Sequence, residues 1–393
     1  LNQDSVVILA ARRTPIGSFQ GSLGTLSAPE LSAAATRACL ADTGLAPELI
    51  DEAVIGCVLP AGLGQAPARQ ALLAAGLAPS TASATVNKVC GSGMYAVMVA
   101  HDRLRAGSAS IMLAGGMESM SNAPYLLPKA RAGYRMGHQQ ALDHMFYDGL
   151  QNPYDGNMMG YFGDQTARRY GLSREMQDEF AITSVKRALA ASADGRLHSE
   201  LVPVTISSRR GETVVDTDEE PGRCDIQRIP TMRPAFAKDG TVTAATSSSI
   251  SDGASSLILT TAAVARQHDL APLAVILGHT SFAHEPEWFT TAPVAAIRRL
   301  LEKLGWQAAD VDLFEVNEAF ACVAMVAMKE LGLDHERLNV NGGACALGHP
   351  IGATGARVIT TLIHALRHRG LRRGIASVCI GGGEATAIAV EIP

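Results

Sequence analysis

The chain has 393 residues, enough for two or three domains' worth of core, and its 47% hydrophobic and 18% charged content is ordinary for a soluble globular protein. A formal net charge of −5 with no basic stripe excludes nucleic acid as a main partner, while leaving room for a local basic pocket around an anionic ligand. No apolar run reaches the roughly 18 to 20 residues of a membrane span, so no membrane partner is expected.

The opening stretch VVILAARR (6–13) reads as a first strand running into a turn, without the charged-then-apolar-then-small order of a signal peptide. The 7 cysteines are odd in number and include no CxxC pair. That excludes a zinc ribbon, makes a disulfide framework unexpected, and suits a reducing, cytoplasmic compartment. No metal ligands are picked out.

The segment ATRACLADTGLAPELIDEAVIG (35–56) is an amphipathic helix ending near Gly44, then a turn with Asp51 and an apolar strand. Its pattern returns in IRRLLEKLGWQAADVDLFEVN (297–317), with Gly305 and Asp312 in the same places. A second pair follows. Residues 86–118 run from a polar strand end through CGSG, a helix and a basic hinge to a buried strand ending in Gly-Gly; residues 340–384 repeat that order. In the two helices, Ala96, Val97, Ala100 and Leu104 share one face, as do Val358, Ile359, Leu362, Ile363 and Leu366. The apolar strands SIMLAG and IASVCIG suit positions covered on both sides by helices.

Two related α/β halves are therefore expected: residues 1–120, completed by about 250–270, and residues 271–393. Between them, 121–249 breaks the pattern with loops and one clear helix that Ser173 would cap.

Cys90 stands where a helix begins, with Gly91, Ser92 and Gly93 behind it. A nucleophile gains from that address, because a helix N-terminus favours the thiolate and glycines let a substrate approach the backbone. A buried cysteine is more often a small core residue, and a histidine in a glycine turn is more often a turn residue. CGSGMYA also satisfies the dinucleotide-binding spacing G-x-G-x-x-A, but its acidic partner, Glu118, comes later than that motif requires. What favours catalysis is Cys90, His349 and Cys379 falling at matched positions of a repeat.

The stretches NKVCGSG, GGMESMSNAPY, RPAFAKDGTVTA, VNEAFA, NGGACALGHPIGATGAR and CIGGGEA, in this order, resemble the signatures of thiolases over essentially the whole chain. The resemblance implies an α/β thiolase fold: two five-stranded mixed-sheet halves in an α-β-α-β-α layering, with 121–249 as a loop domain carrying coenzyme A contacts. It implies Cys90 as acyl-accepting nucleophile, His349 as its base, and Cys379 as the acid/base at the α-carbon. Asn317 would hold a water for one oxyanion site, and the amides of Cys90 and Gly381 would form the other. Ser248 and Phe320 would lie along the pantetheine channel, with Met158, Met159 and Phe289 around the acyl and cofactor region. Coenzyme A enters as substrate and product, acetyl-CoA and 3-ketoacyl-CoA as partners, with no permanently bound cofactor. Homodimers or homotetramers are the common assemblies.

Thioester exchange suits a thiolate, which is both the nucleophilic form and a good leaving group. Proton removal from acetyl-CoA needs a base beside the methyl group and donors on the thioester oxygen. The chain departs from short-chain members at Met158, where they often carry histidine, at Phe289, where they often carry methionine, and at Cys345, where an aliphatic residue is usual. The activity this implies is acetyl-CoA C-acetyltransferase. The alternatives are a broad-chain 3-ketoacyl-CoA thiolase of fatty acid breakdown and a non-catalytic acyl-CoA binding protein. The intact cysteine, histidine and asparagine set speaks against the last, and a ketoacyl-carrier-protein synthase would carry histidine at Cys379. Phe289 is expected to cap the acyl end.

Overall fold

The computed structural model describes residues 2–209 and 211–393. In chain order, the first half comprises β1 (Val6–Arg13), α1 (Ala28–Thr43), β2 (Glu52–Gly56), α2 (Pro67–Ala75), β3 (Ala82–Val86), α3 (Ser92–Arg105) and β4 (Ile111–Ser119). The middle holds α4 (Met159–Tyr170) and α5 (Arg174–Ala193), and β5 (Ser251–Thr261) follows it. The second half comprises β6 (Ala274–Ala283), α6 (Ala292–Leu304), β7 (Leu313–Val316), α7 (Ala321–Leu331), α8 (Ile351–Arg369), β8 (Arg373–Ile380) and β9 (Glu384–Glu391).

The first-half strands lie in the order β3-β2-β4-β5-β1, with β2 parallel to β3 and β4, and β5 antiparallel to both its neighbours. The second-half strands run β6-β9-β8-β7, with only β7 and β8 parallel. The two mixed sheets join where β1 and β6 pair antiparallel, Val7 opposite Val275 and Ile8 opposite Ala274. The fifth position of the second sheet holds only a single bridge, Phe314 to Leu338, where a full strand was expected.

The periodicity of the sequence decides what packs where. One apolar cluster joins α1 and α2 to the outer face of the first sheet, and another joins α6 and α7 to the outer face of the second. Between the sheets lie α3 and α8, whose apolar faces share a third cluster. This is the five-layer α-β-α-β-α arrangement. Val358, Ile359, Leu362, Ile363 and Leu366 are fully buried there, each contributing about 1.5–3 kcal/mol. The duplication extends to the turns. Gly44 and Gly305 end α1 and α6 at φ 63° and 67°. Asp51 then accepts the amides of Ser110 and Ile111 at 2.6 and 3.1 Å, and Asp312 those of Arg372 and Arg373 at 2.9 and 2.8 Å. Each aspartate fixes the start of its half's central strand.

Residues 121–249 are more ordered than loops alone. They contain α4, α5 and two small two-stranded ladders, and Ser173 caps α5 by accepting the Met176 amide at 3.3 Å. Arg13 of β1, fully buried, ties this region to the first half through Glu200 at 2.6 Å and Asp218 at 2.7 Å.

Candidate active site

Between β3 and α3 the chain turns sharply enough that Val89 adopts φ 46°, a left-handed conformation that costs a β-branched residue strain. Several bonds hold it there. Asn87 Oδ1 accepts the Val89 amide at 2.9 Å, Ser92 Oγ accepts the Lys88 amide at 2.8 Å, and the Ser92 hydroxyl donates to the Val89 carbonyl at 2.7 Å. Lys88 is further ion-paired with Glu384. The residue that aims Cys90 is thus over-determined.

The glycines behind Cys90 serve packing rather than the substrate approach expected of them. Gly91 lies against Ile380, and a Cβ on Gly93 would sit 2.7 Å from the Ala356 amide nitrogen of α8. Gly355 of α8 meets Met94 in the same way. Glycine on both helices is what lets α3 and α8 touch backbone to backbone.

Cys90 is half-buried as a residue, but its thiol end is enclosed. Burial pushes that thiol up to about 11, against the opposing pull of the Gly381 amide and its own amide, and the charge of Glu118 adds to the rise. The helix start was expected to favour a thiolate; desolvation outweighs it, and the resting group is a thiol. Cys379, at the end of β8, is fully buried and held well above the ordinary range by burial, and then by Cys90. The structure therefore brings Cys90, Cys379 and the Gly381 amide together.

His349 is 5% exposed. Its Nδ1 lies 2.6 Å from the Thr354 Oγ1, whose own proton goes to the Pro350 carbonyl at 3.0 Å. With the hydroxyl donating to that carbonyl, the imidazole donates from Nδ1 and keeps a lone pair on Nε2. That Nε2 is buried and has no hydrogen-bond partner among the described residues. Burial, followed by the charge of Arg357, lowers His349 to about 3, so the ring is neutral at physiological pH. It is a base with a fixed tautomer and a free acceptor atom.

Asn317, 1% exposed, offers Oδ1 to Arg357 Nη2 at 3.5 Å, while its Nδ2 is buried without a partner among the described residues. An unmet buried donor of this kind suits a bound water.

A cleft of about 810 Å³ reaches His349, while Cys90, Cys379 and Asn317 lie beyond its lining. His349, Phe320, Ser248, Met158 and Met159 line it. Its floor includes Met120, Leu150, Ile250 and Ile351, the apolar cluster on which Cys90 packs. Gly381 sits between Val89 and the Met159 sulfur, joining the nucleophile turn to the cleft wall. Both the amide and the hydroxyl of Ser248 donate to the Ala319 carbonyl, at 3.0 and 3.1 Å, so its oxygen keeps lone pairs for a ligand. Phe320 and Phe236 meet edge to face at 5.9 Å. The exposed Arg223 and Arg228 line the cleft too, beside Glu220 and Asp225, and Arg223 is ion-paired with Glu219 at 3.0 Å. The cleft can hold a long ligand with an apolar stem and an anionic outer end.

Phe289 does not line this cleft. It is 2% exposed and packs behind Phe320, 6.4 Å between ring centroids, and against Phe162 at the same distance. The expectation that it caps the acyl end is corrected: burial in the core cluster of α6 and α7 takes it out of reach of the cleft.

Comparison with known families matches residues 6–263 to the thiolase N-terminal domain and 270–392 to the thiolase C-terminal domain. The chain belongs to the thiolase family. It is 47% identical to the acetyl-CoA acetyltransferase of Chromobacterium violaceum over 99% of this chain and 100% of that one. A probable acetyl-CoA acyltransferase of Staphylococcus aureus is 44% identical, over 98% of both chains. Among solved structures, the acetyl-CoA acetyltransferase of Bacillus anthracis superposes with a TM-score of 0.97 at 39% identity, covering 99% of each chain.

Sequence reasoning missed several residues that shape this thiolase's site. Thr354 was readable only as a helix residue five positions after His349. Glu118, dismissed as a dinucleotide partner, accepts the amides of Val58, Leu59 and Gly352 at 3.0, 3.1 and 2.8 Å. It thereby ties the loop after β2 to the start of α8, and burial raises it to about 7. Arg223 and Arg228 lie in no periodic pattern, so nothing in the sequence gave them a place along the cleft.

Proposed function

We propose that this thiolase is an acetyl-CoA C-acetyltransferase, condensing two acetyl-CoA reversibly to acetoacetyl-CoA and CoA through an acyl-enzyme on Cys90. The observation that carries this reading is the buried, neutral His349 with a free Nε2, on a cleft whose floor packs against Cys90. Relatives named acetyl-CoA acetyltransferase at 45–47% identity support it.

In this reading His349 Nε2 takes the Cys90 proton as sulfur attacks the thioester carbonyl. The Cys90 and Gly381 amides stabilise one oxyanion, and a water on Asn317 Nδ2 stabilises the other. Cys379 gives its proton to the departing CoA thiolate. The Cys379 thiolate so formed removes the α-proton of the second acetyl-CoA, and the enolate attacks the acyl-enzyme. Cys90 leaves as a thiolate and regains its proton from His349, which restores every group. Two thiols are required because acyl transfer and proton transfer occupy one turnover. Along the cleft, Phe320, Met158 and Met159 would flank the pantetheine stem and acyl end, Ser248 would offer it an acceptor, and Arg223 and Arg228 would face the phosphates.

A second reading, a broad-chain 3-ketoacyl-CoA thiolase, gains from one observation. With Phe289 behind Phe320, the acyl side is lined by Met158 and Met159, which are adaptable rather than rigid. Thiolysis rates over 3-ketoacyl-CoA substrates of four to ten carbons decide between them. Acetoacetyl-CoA should be preferred; a preference for eight or ten carbons establishes the second reading instead.

No helix among the described residues is long and apolar enough to cross a membrane. We read the compartment as cytoplasmic from the seven free cysteines, and the assembly as a homodimer or homotetramer working in fatty acid metabolism, from the family resemblance.

A further inference from the structure

At the far end of α3 from Cys90, His101 and Asp102 meet His279 of β6. Asp102 Oδ1 lies 2.9 Å from His101 Nδ1 and 2.9 Å from His279 Nε2, and the two ring nitrogens are 3.2 Å apart. The rings stand nearly perpendicular, 4.9 Å between centroids.

With Asp102 ionised, since against its partial burial the two imidazoles hold its carboxyl below the ordinary range, no placement of protons on the rings makes all three contacts favourable. If both nitrogens carry hydrogen and donate to Asp102, the two N–H groups face each other. If either nitrogen is bare, its lone pair faces the carboxylate oxygen. A single cation accepting all three lone pairs resolves the conflict. We propose that His101, Asp102 and His279 form a binding site for a zinc-class divalent cation.

The triangle has the right size. A cation about 1.1 Å above its plane lies about 2.05 Å from all three atoms, within the usual range for zinc bonded to imidazole nitrogen and carboxylate oxygen. Two imidazoles and one carboxylate are a borderline donor set that suits Zn²⁺ better than Ca²⁺ or Mg²⁺. The side chain of Asp102 is 65% exposed and those of His101 and His279 are 16% and 13% exposed, so ions enter from solvent and water completes the fourth position. The two arginines of the same turn are engaged elsewhere, Arg103 on Glu52 and Arg105 on the Asp4 carbonyl, both at 2.8 Å. Among the described residues this is the one cluster of three such donors within reach of a single ion.

The site takes no part in acyl transfer, because Ser92 to Asp102 spans roughly 15 Å of helix. It acts instead on architecture. His101 and Asp102 belong to the helix that begins two residues after Cys90, and His279 to the strand that joins the two sheets. A bound cation staples one half to the other across the middle layer.

The test uses the full-length chain, freed of metal by a chelator and titrated with Zn²⁺ by calorimetry and with Co²⁺ by absorption. One equivalent should bind, Co²⁺ should give tetrahedral d–d bands without thiolate charge transfer, and Tm should rise with Zn²⁺. Asp102→Asn, at an exposed position, and His279→Gln should each weaken Zn²⁺ binding by about 100-fold or more, since outer-shell partners alone are worth 10–100-fold. Acetoacetyl-CoA thiolysis by the variants verifies that they are folded. Absence of binding, a thiolate charge-transfer band, or unchanged affinity in folded Asp102→Asn would each overturn the proposal.

Discussion

Replacing Thr354 by valine removes one hydroxyl from a fully buried position and keeps the side chain's shape. The lost contact is the 2.6 Å bond that sets the tautomer of His349. With valine, Nδ1–H has no partner, and the ring no longer prefers to keep its proton there. Leaving a buried donor unpaired costs about 1–3 kcal/mol. If that preference is spent on presenting Nε2 as acceptor, acylation of Cys90 should slow by roughly 5- to 150-fold. Rapid-quench mass spectrometry of the protein with acetyl-CoA reads this step directly. The acetyl-CoA concentration giving half-maximal rate should stay unchanged, because Thr354 does not line the cleft. Thr354→Ser restores the oxygen and should recover most of the rate. Acetylation of Thr354→Val at the unmodified rate, or a serine variant as slow as valine, refutes the assignment of Thr354 as a positioning residue.

Three further outcomes follow from the same geometry. With Cys90 pushed up to about 11, its thiolate is scarce at neutral pH, so alkylation by iodoacetamide in the substrate-free protein should rise about tenfold per pH unit between 7 and 10; a plateau below pH 8 would contradict this. Glu118→Ala strands three backbone donors, at about 1–3 kcal/mol each, so the urea midpoint should fall by an amount equivalent to about 3 kcal/mol or more; an unchanged midpoint removes Glu118 from the account. Phe289→Ala should cost about 3–5 kcal/mol of stability and leave the ratio of eight-carbon to four-carbon thiolysis unaltered, and a selective gain toward the longer substrate would return Phe289 to the acyl wall.

Much of the architecture was legible because it is local. Gly44 and Gly305 mark helix ends through their left-handed backbone, and the faces of α3 and α8 follow from a 3.6-residue period. Asp51 and Asp312 could be paired by position, although their shared task of receiving the central strand's amides showed only in the fold. The two-pair junction of β1 with β6 and the single bridge at Leu338 were not legible, because register between distant segments leaves no local signature. The same holds at the site. Residue types and order pointed to Cys90, His349 and Cys379, but the apolar cluster that Cys90 packs against, Val58, Leu59, Met120, Met145 and Ile351, is gathered from distant segments. Phe289 was misplaced for a related reason: its neighbours in sequence do not reveal that Phe320 stands between it and the cleft.

The central claim, that acyl groups pass through Cys90 while Cys379 moves the proton, is tested most directly by the site of acetylation. Protein mixed with acetyl-CoA, quenched and mapped by peptide mass spectrometry should carry one acetyl group per chain, on Cys90. Cys379→Ala should carry the same label yet fail to exchange the methyl protons of acetyl-CoA with deuterated water. An acetyl group on any other residue, or full exchange in Cys379→Ala, would contradict the account.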